Sequence, residues 1–248
     1  MKQKVRVLLP CYNEAENLPK LLTRVGQLAE QMPYVELSVL VVNDGSKDNT
    51  VGVARDFKMA IEKNVLDIQP NQGLANAMRQ GLKEAAKGLG DNDIVVALDG
   101  DDSHNPLLIE RMVKQANEGS DVVIASRFQP GSRAYGLTRF RKFTGWAAGM
   151  MFRVFIPIKG VRDFTCGFRA YKVDMLNKVN AKYGDKLIEE QGFACMAEII
   201  IKMGKTGAIV HEMPMILRYD RKIGDSKMNV SRTIMQTLKL IAKHAGSK

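Results

Sequence analysis

The sequence predicts an α/β chain on a doubly wound, mostly parallel sheet, and three observations carry that prediction. Near-continuous apolar runs of four to seven residues alternate with longer amphipathic stretches, as in strands buried on both faces by helices. Four polar motifs, PCYNE (10–14), NDGSKDNT (43–50), PNQG (70–73) and DGDD (99–102), each follow one of those runs. At 248 residues with 45% apolar composition, the chain is long enough to bury such a sheet.

The elements follow in order. KVRVLLP (4–10) is the first strand, since its basic start leads into an apolar run too short, and interrupted by Arg6, to be a signal peptide. Residues 15–32 place Leu18, Leu21, Leu22, Val25 and Leu28 at helical spacing. A second strand (35–44) precedes a helix at 48–59 with Asp48 as its cap. A third strand (64–69), a helix (73–89), a fourth strand (93–99) and a helix (105–117) with Pro106 in its first turn come next. DVVIASR (121–127) is the fifth strand. Ligands of such sheets bind beyond the carboxyl ends of the strands, so the four motifs are expected to share one crevice.

Beyond residue 127 the regularity fades. Residues 133–160 combine a basic start with a mostly apolar helix, too short to span a bilayer, that suits either an interfacial position or packing on the core. RYDRKIGDSK (218–227) reads as a mobile basic loop. Residues 228–248 form an amphipathic helix with Ile234, Leu238 and Ile241 on one stripe, docked on its own domain or on a membrane surface. The expected division is a catalytic domain at 1–217 and a loop-plus-helix appendage at 218–248.

A formal charge of +10 points to an anionic partner. Nothing resembles an RNP motif, zinc finger or arginine-rich tract, so no nucleic-acid partner is expected. Cys11, Cys166 and Cys195 are scattered without a CxxC pair, which argues against a disulfide framework or structural zinc.

Against that positive charge, Asp99, Asp101 and Asp102 crowd the end of the fourth strand. Two close carboxylates repel unless a cation lies between them, and hard oxygen ligands in small number suit Mg²⁺ or Mn²⁺. Asp102 or Ser103 is the candidate cap of the next helix. Asp44 and Glu14 are acceptors for a base or ribose, Tyr12 offers a stacking face, and the absence of GxGxxG leaves a dinucleotide unsupported.

The ordered set LPCYNEAENL, VVNDGSKDNT, NQGLANAMRQGL, ALDGDDSHNP, ASRF, DFTCGFRAYK, QGFACMAE and RKIGDSK resembles family 2 glycosyltransferases, above all the dolichol-phosphate mannose synthases and related polyprenyl-phosphate glycosyltransferases. The resemblance implies a GT-A fold with a Rossmann-like sheet and C-terminal amphipathic helices. It also implies a nucleotide-sugar donor, with GDP-mannose foremost, a divalent metal and inverting transfer to a lipid phosphate. By motif position, Pro10, Tyr12, Glu14, Asp44 and Asp99 hold the nucleotide. Asp99 and Asp101 hold the metal with Ser103 as third ligand. Arg127 and Arg141 face the acceptor phosphate, and Asp101, Arg221 and Lys227 serve catalysis. Asp163, Gly167, Phe168 and Arg169 shape the middle of the site. Four positions depart from the family: Asn43, Asp102, Cys166, and Gly145 where a serine often assists the acceptor phosphate.

A phosphate acceptor needs no general base, and no ED pair or QxxRW precedes the last helix; Glu198 reads as structural or as a sugar contact. The expectation is an enzyme made in the cytoplasm and held peripherally on a membrane. Two alternatives stand beside it: a soluble glycosyltransferase acting on sugar or protein hydroxyls, and a non-catalytic nucleotide-sugar-binding protein.

Overall fold

Strand β1 (Gln3–Cys11) is the pivot of the computed structural model, which describes residues 2–224 and 230–245. It pairs in parallel with β2 (Val35–Asp44) on one side, Val7 opposite Val39, and with β4 (Ile94–Ala97) on the other, Val7 opposite Val96. β3 (Glu62–Ile68) continues the sheet beyond β2, also in parallel. The connections are helical: α1 (Leu18–Gln31), α2 (Thr50–Asp56) and α3 (Leu74–Ala86), with α4 (Leu108–Asn117) leading to β5 (Val122–Ser126). All five apolar positions foreseen on the first helix are buried against the sheet. Because the chain leaves β1 toward β2 and returns on the other side at β4, a crevice opens at their carboxyl ends.

The sheet has seven strands in the order β3-β2-β1-β4-β7-β5-β8, with β7 (Arg169–Lys172) antiparallel between β4 and β5 and β8 (Val210–Pro214) parallel on the outside of β5. The apolar pattern does not announce β7: it is four residues long, RAYK, and its Arg169 is fully buried. The two terminal nitrogens of that guanidinium donate to the carbonyls of Met196 and Phe164, at 2.6 and 2.7 Å, while its buried Nε has no hydrogen-bond partner among the described residues. A second, two-stranded parallel sheet joins β6 (Arg133–Tyr135) to β9 (Ile216–Arg218).

Helix α5 (Arg139–Phe155), capped by the Thr138 hydroxyl, follows β6. α6 (Val173–Tyr183) and α7 (Ala194–Gly204) cover the sheet, and α8 (Val230–His244) packs on α5 and α7. The expected stripe on the last helix is divided. Ile241 is buried together with Thr237 and Leu240, whereas Ile234 and Leu238 are about 40% exposed, at 40% and 41%. The register corrects the sequence reading because α8 meets two helices at once, so the buried face is rotated from the simple apolar stripe.

The second helix is also shorter than its predicted span. It begins after Asn49, and Asp48 instead accepts both the N–H and the hydroxyl of Thr50, at 3.0 and 2.5 Å. The helix after DGDD starts only at Leu108, so neither Asp102 nor Ser103 caps it; Asn105 accepts the Leu107 N–H instead, at 3.3 Å. All three cysteines are buried free thiols.

Candidate active site

The ends of β1, β2 and β4 open on a single cavity of about 850 Å³. Pro10, Tyr12, Glu14, Asp44, Asp99, Asp101, Ser103, Arg127 and Arg141 all line it, so the polar motifs do converge. Arg221 does not line it; it stands near the Asp102 carboxylate. Lys227 lies outside the described residues.

The β1 turn is built by side chains that take the place of secondary-structure hydrogen bonds. Asn13, at φ 53°, donates its N–H to Ser46 Oγ at 2.9 Å and accepts the Lys47 N–H at 2.7 Å. The Glu14 N–H donates to Thr50 Oγ1 at 2.8 Å. At the end of β2, Asp44 organises the 70–73 turn. Its Oδ1 accepts the Gln72 N–H at 3.0 Å, and its Oδ2 accepts the Gly73 N–H at 2.8 Å and the Asn71 amide at 2.7 Å. Much of its hydrogen-bonding capacity is therefore committed to shaping the crevice wall. Gly45, at φ 64°, makes the approach possible, since a Cβ there would stand 2.2 Å from the Asn71 nitrogen.

Asp99 and Asp101 form the floor. Asp101 accepts the Ser103 N–H and hydroxyl on Oδ1, at 3.1 and 2.6 Å, and Lys222 Nζ on Oδ2 at 2.8 Å. Burial opposes its charge, but Lys222, His104 and these hydrogen bonds outweigh it, and its pKa falls below the usual carboxylate value. Asp99 moves the other way: burial raises its pKa, His104 opposes, and the neighbouring Asp101 charge adds to the rise. Gly167 backs Asp99 closely, a Cβ there lying 3.1 Å from Asp99 Oδ1.

Two carboxylates of opposite pKa tendency, one already compensated by a lysine, mark a place where positive charge is required. Among the described residues no group of three or more His, Cys, Asp or Glu side chains could hold a metal. Asp99, Asp101 and the Ser103 hydroxyl are the oxygens that could hold a divalent ion here, a small protein set of the kind completed by water and phosphate.

Toward α5 the character changes. Arg127 makes a two-pronged pair with Asp163 at 2.8 and 2.6 Å and donates to Thr165 Oγ1 at 2.6 Å. Burial works against the charge of Asp163, and Arg127 overrides it, holding the carboxyl below its ordinary pKa. Arg141 donates to the Tyr219 hydroxyl at 3.2 Å, and the Tyr219 ring lies between Arg141 and Lys222, 5.7 and 5.6 Å from their charged groups. Beyond Arg141 the cavity is walled by Ala147, Ala148 and Met151 of α5 and by Ile234 and Leu238 of α8.

The departures from the family pattern have local causes. Asn43 donates to Asp67 at 2.8 Å, where an aspartate would set two carboxylates together. Asp102, buried at φ 57°, is paired with Arg24 of α1 at 2.9 Å. Cys166 is buried, and its thiol is pushed up to about 12, so it is inert. Glu198 is structural: it pairs with Lys202 at 2.7 Å and accepts the N–H groups of Glu189 and Glu190, both at 2.7 Å.

Residues that sequence reasoning passed over complete the site. Lys222 and Tyr219 sit beside the highlighted Arg221, and only their neighbourhood in a basic stretch signals them. Asn17, buried behind Glu14, bonds the Glu14 carboxylate at 2.7 Å and the Ile223 backbone. His104 accepts the Asp99 N–H at 3.4 Å, with its ring 5.2 Å from that of Phe168.

Known proteins match this arrangement. Residues 6–179 match the glycosyl transferase family 2. The chain is 30% identical over 239 residues to a dolichol-phosphate mannosyltransferase of Pyrococcus furiosus, covering 96% of this chain but 62% of that protein. It is 31% identical over 228 residues to an undecaprenyl-phosphate mannosyltransferase of Micrococcus luteus, covering 91% and 88% of the two chains. Among solved structures, it resembles mannosyl-3-phosphoglycerate synthase from Rubrobacter xylanophilus at 21% identity, with a TM-score of 0.69 over 98% of this chain and 74% of that one. It also resembles glucosyl-3-phosphoglycerate synthase from Mycobacterium tuberculosis, solved with Mn²⁺ and UDP, at 18% identity and a TM-score of 0.65 over 97% and 78%. The chain has the GT-A fold and belongs to glycosyl transferase family 2, and it is a glycosyltransferase.

Proposed function

We propose that this glycosyltransferase moves a hexose, mannose from GDP-mannose, onto a polyprenyl phosphate at a membrane surface, with inversion at the anomeric carbon. One observation carries the reading: a single cavity runs from a polar end lined by Tyr12, Asp44, Asp99 and Asp101 to an apolar end lined by Ala147, Met151 and Leu238. A water-soluble sugar or protein acceptor has no use for that apolar wall, whereas a prenyl chain does. Relatives named for dolichol-phosphate and undecaprenyl-phosphate mannosyl transfer support the same acceptor and sugar.

The roles follow from position. Pro10, Tyr12, Glu14 and Asp44 hold the nucleoside end of the donor, and Asp99, Asp101 and Ser103 hold Mg²⁺ or Mn²⁺. An ion held there would supply positive charge against the negative charge of the departing diphosphate. Lys222, and by motif position Arg221 and Lys227, bring basic charge to the same leaving group. Arg141, with Arg127 behind it, orients the acceptor phosphate. Among the described residues, the acidic ones lining the cavity are Glu14, Asp44, Asp99 and Asp101, all at the donor end, and none of them stands at the acceptor end. A phosphate acceptor is already an anion and attacks without a carboxylate base.

Peripheral membrane attachment from the cytoplasmic side completes the proposal. α5 exposes Phe140, Phe143, Trp146, Val154 and Phe155, and α8 exposes Ile234, Met235 and Leu238 beside them. No helix among the described residues is long and apolar enough to cross a membrane, so this face would lie on the bilayer.

The test supplies polyprenyl phosphate in detergent, Mg²⁺ or Mn²⁺, and radiolabelled GDP-mannose beside UDP-glucose. Label is expected to enter the organic phase from GDP-mannose, to stay out with Asp101→Asn, and to carry the inverted anomeric configuration by NMR. Label transferred only to water-soluble acceptors would overturn the reading.

A further inference from the structure

A second, smaller cavity of about 160 Å³ lies behind α5, lined by Phe128, Trp146, Gly149, Arg153 and Arg162. None of these residues lines the larger cavity. Both arginines are exposed, and neither guanidinium has an acceptor among the described residues. The carboxylate nearest in the bonding pattern, Glu212, is taken up by the backbone N–H groups of Arg162 and Asp163, both at 2.6 Å, and by Gln129 at 3.2 Å. Arg127, over the Phe128 ring at 5.4 Å, is already neutralised by Asp163. Two unspent guanidinium forks therefore flank an aromatic-walled hollow large enough for a phosphate group.

Its position selects the source of that phosphate. Trp146, 46% exposed, is shared between this hollow and the apolar face of α5, where Phe143 lies 6.1 Å from it ring to ring. Tryptophan settles at the level of lipid headgroups, and arginine beside it binds phosphate in two-pronged fashion. We propose that Arg153 and Arg162 form a binding site for the phosphodiester headgroup of an anionic phospholipid, separate from the acceptor site. The proposal rests on the membrane reading given above. It assigns charge recognition to these two arginines and leaves apolar attachment to the exposed residues of α5 and α8.

The full chain reports on the site directly, because Trp146 is its only tryptophan. Binding is followed by co-sedimentation and by Trp146 emission, with vesicles of phosphatidylcholine alone and with added phosphatidylglycerol. The double variant Arg153→Gln/Arg162→Gln is compared with a charge-matched control, Lys83→Gln/Lys87→Gln at the end of α3 and its C-cap. Wild type is expected to prefer phosphatidylglycerol vesicles with a blue-shifted emission. The double variant should lose roughly 10- to 30-fold of that affinity and the control far less. Both arginines are exposed, so thermal unfolding of the variant should match wild type. If wild type prefers phosphatidylglycerol and the double variant binds as tightly as the control, the headgroup site is overturned while membrane attachment stands. If wild type binds neither vesicle, both fall. If millimolar glycerol 3-phosphate alone shifts Trp146 emission as vesicles do, the site is one for soluble phosphate and the lipid assignment is overturned.

Discussion

The side-chain amide of Asn17 pairs with the backbone of Ile223 in both directions: Asn17 Nδ2 donates to the Ile223 carbonyl at 3.1 Å, and the Ile223 N–H donates to Asn17 Oδ1 at 3.0 Å. This clasp joins the start of α1 to the strap at 219–223 and holds Lys222 on Asp101.

Asn17→Ala removes both of these bonds and the one to the Glu14 carboxylate, together worth about 1.5–4 kcal/mol. Trypsin should cut after Arg221 and Lys222 several-fold faster, and donor KM should rise roughly 5- to 30-fold with a smaller change in kcat. Limited proteolysis and initial-rate kinetics check it.

Asp163 is fully buried and its partner Arg127 half-buried, so Asp163→Asn leaves a guanidinium without its counter-charge and should cost about 2–4 kcal/mol. Because Arg127 holds the Asp163 pKa below its ordinary value, the pair stabilises fully above about pH 5 and progressively less as pH falls below about 4. The difference in Tm between wild type and variant should therefore be flat near neutrality and shrink in acid, as calorimetry across pH 3–8 would show.

Glu198→Gln keeps the shape but removes one of the two carboxylates on the buried Lys202, Glu189 remaining at 2.9 Å. It should lower stability by about 1–3 kcal/mol while the folded fraction keeps its donor KM. A large rise in KM at unchanged Tm would instead make Glu198 a substrate contact.

At Gly145, in the cavity wall, an added Cβ meets nothing within 4 Å. Gly145→Ser should be accommodated with Tm unchanged or slightly raised, since serine favours a helix by about 0.5 kcal/mol over glycine. Acceptor KM should fall a few-fold with donor KM unmoved.

Strands β1 to β5 were legible as runs alternating with amphipathic helices, the first four closed by polar motifs, and the crossing between β1 and β4 placed those motifs together. Asp99, Asp101 and Asp44 were legible for the same reason. β7 was not, since a fully buried arginine breaks the apolar signal and its bonds to two carbonyls are a tertiary fact. Nor was the engagement of Asp44 with the 70–73 turn, or of Arg127 with Asp163, because composition names a charge but not its partner. The strap was visible as a basic stretch, yet the residue that reaches the floor is Lys222 and not Arg221, a choice made by the turn after β9. On α8 the buried face is set by two helices at once, and no single-helix periodicity contains that information.

The small sheet of β6 and β9 has a consequence for how the substrates meet. β6 runs on into the helix that carries Arg141, β9 runs on into the strap that carries Lys222, and Gly136 brings the first connection so near the second that a Cβ would stand 2.4 Å from the Asp220 nitrogen. The two arms share one yoke, so a tilt imposed at either end is felt at the other. Under the proposed function, donor and acceptor affinities would be thermodynamically linked through this yoke, each substrate changing the other's dissociation constant by the same factor.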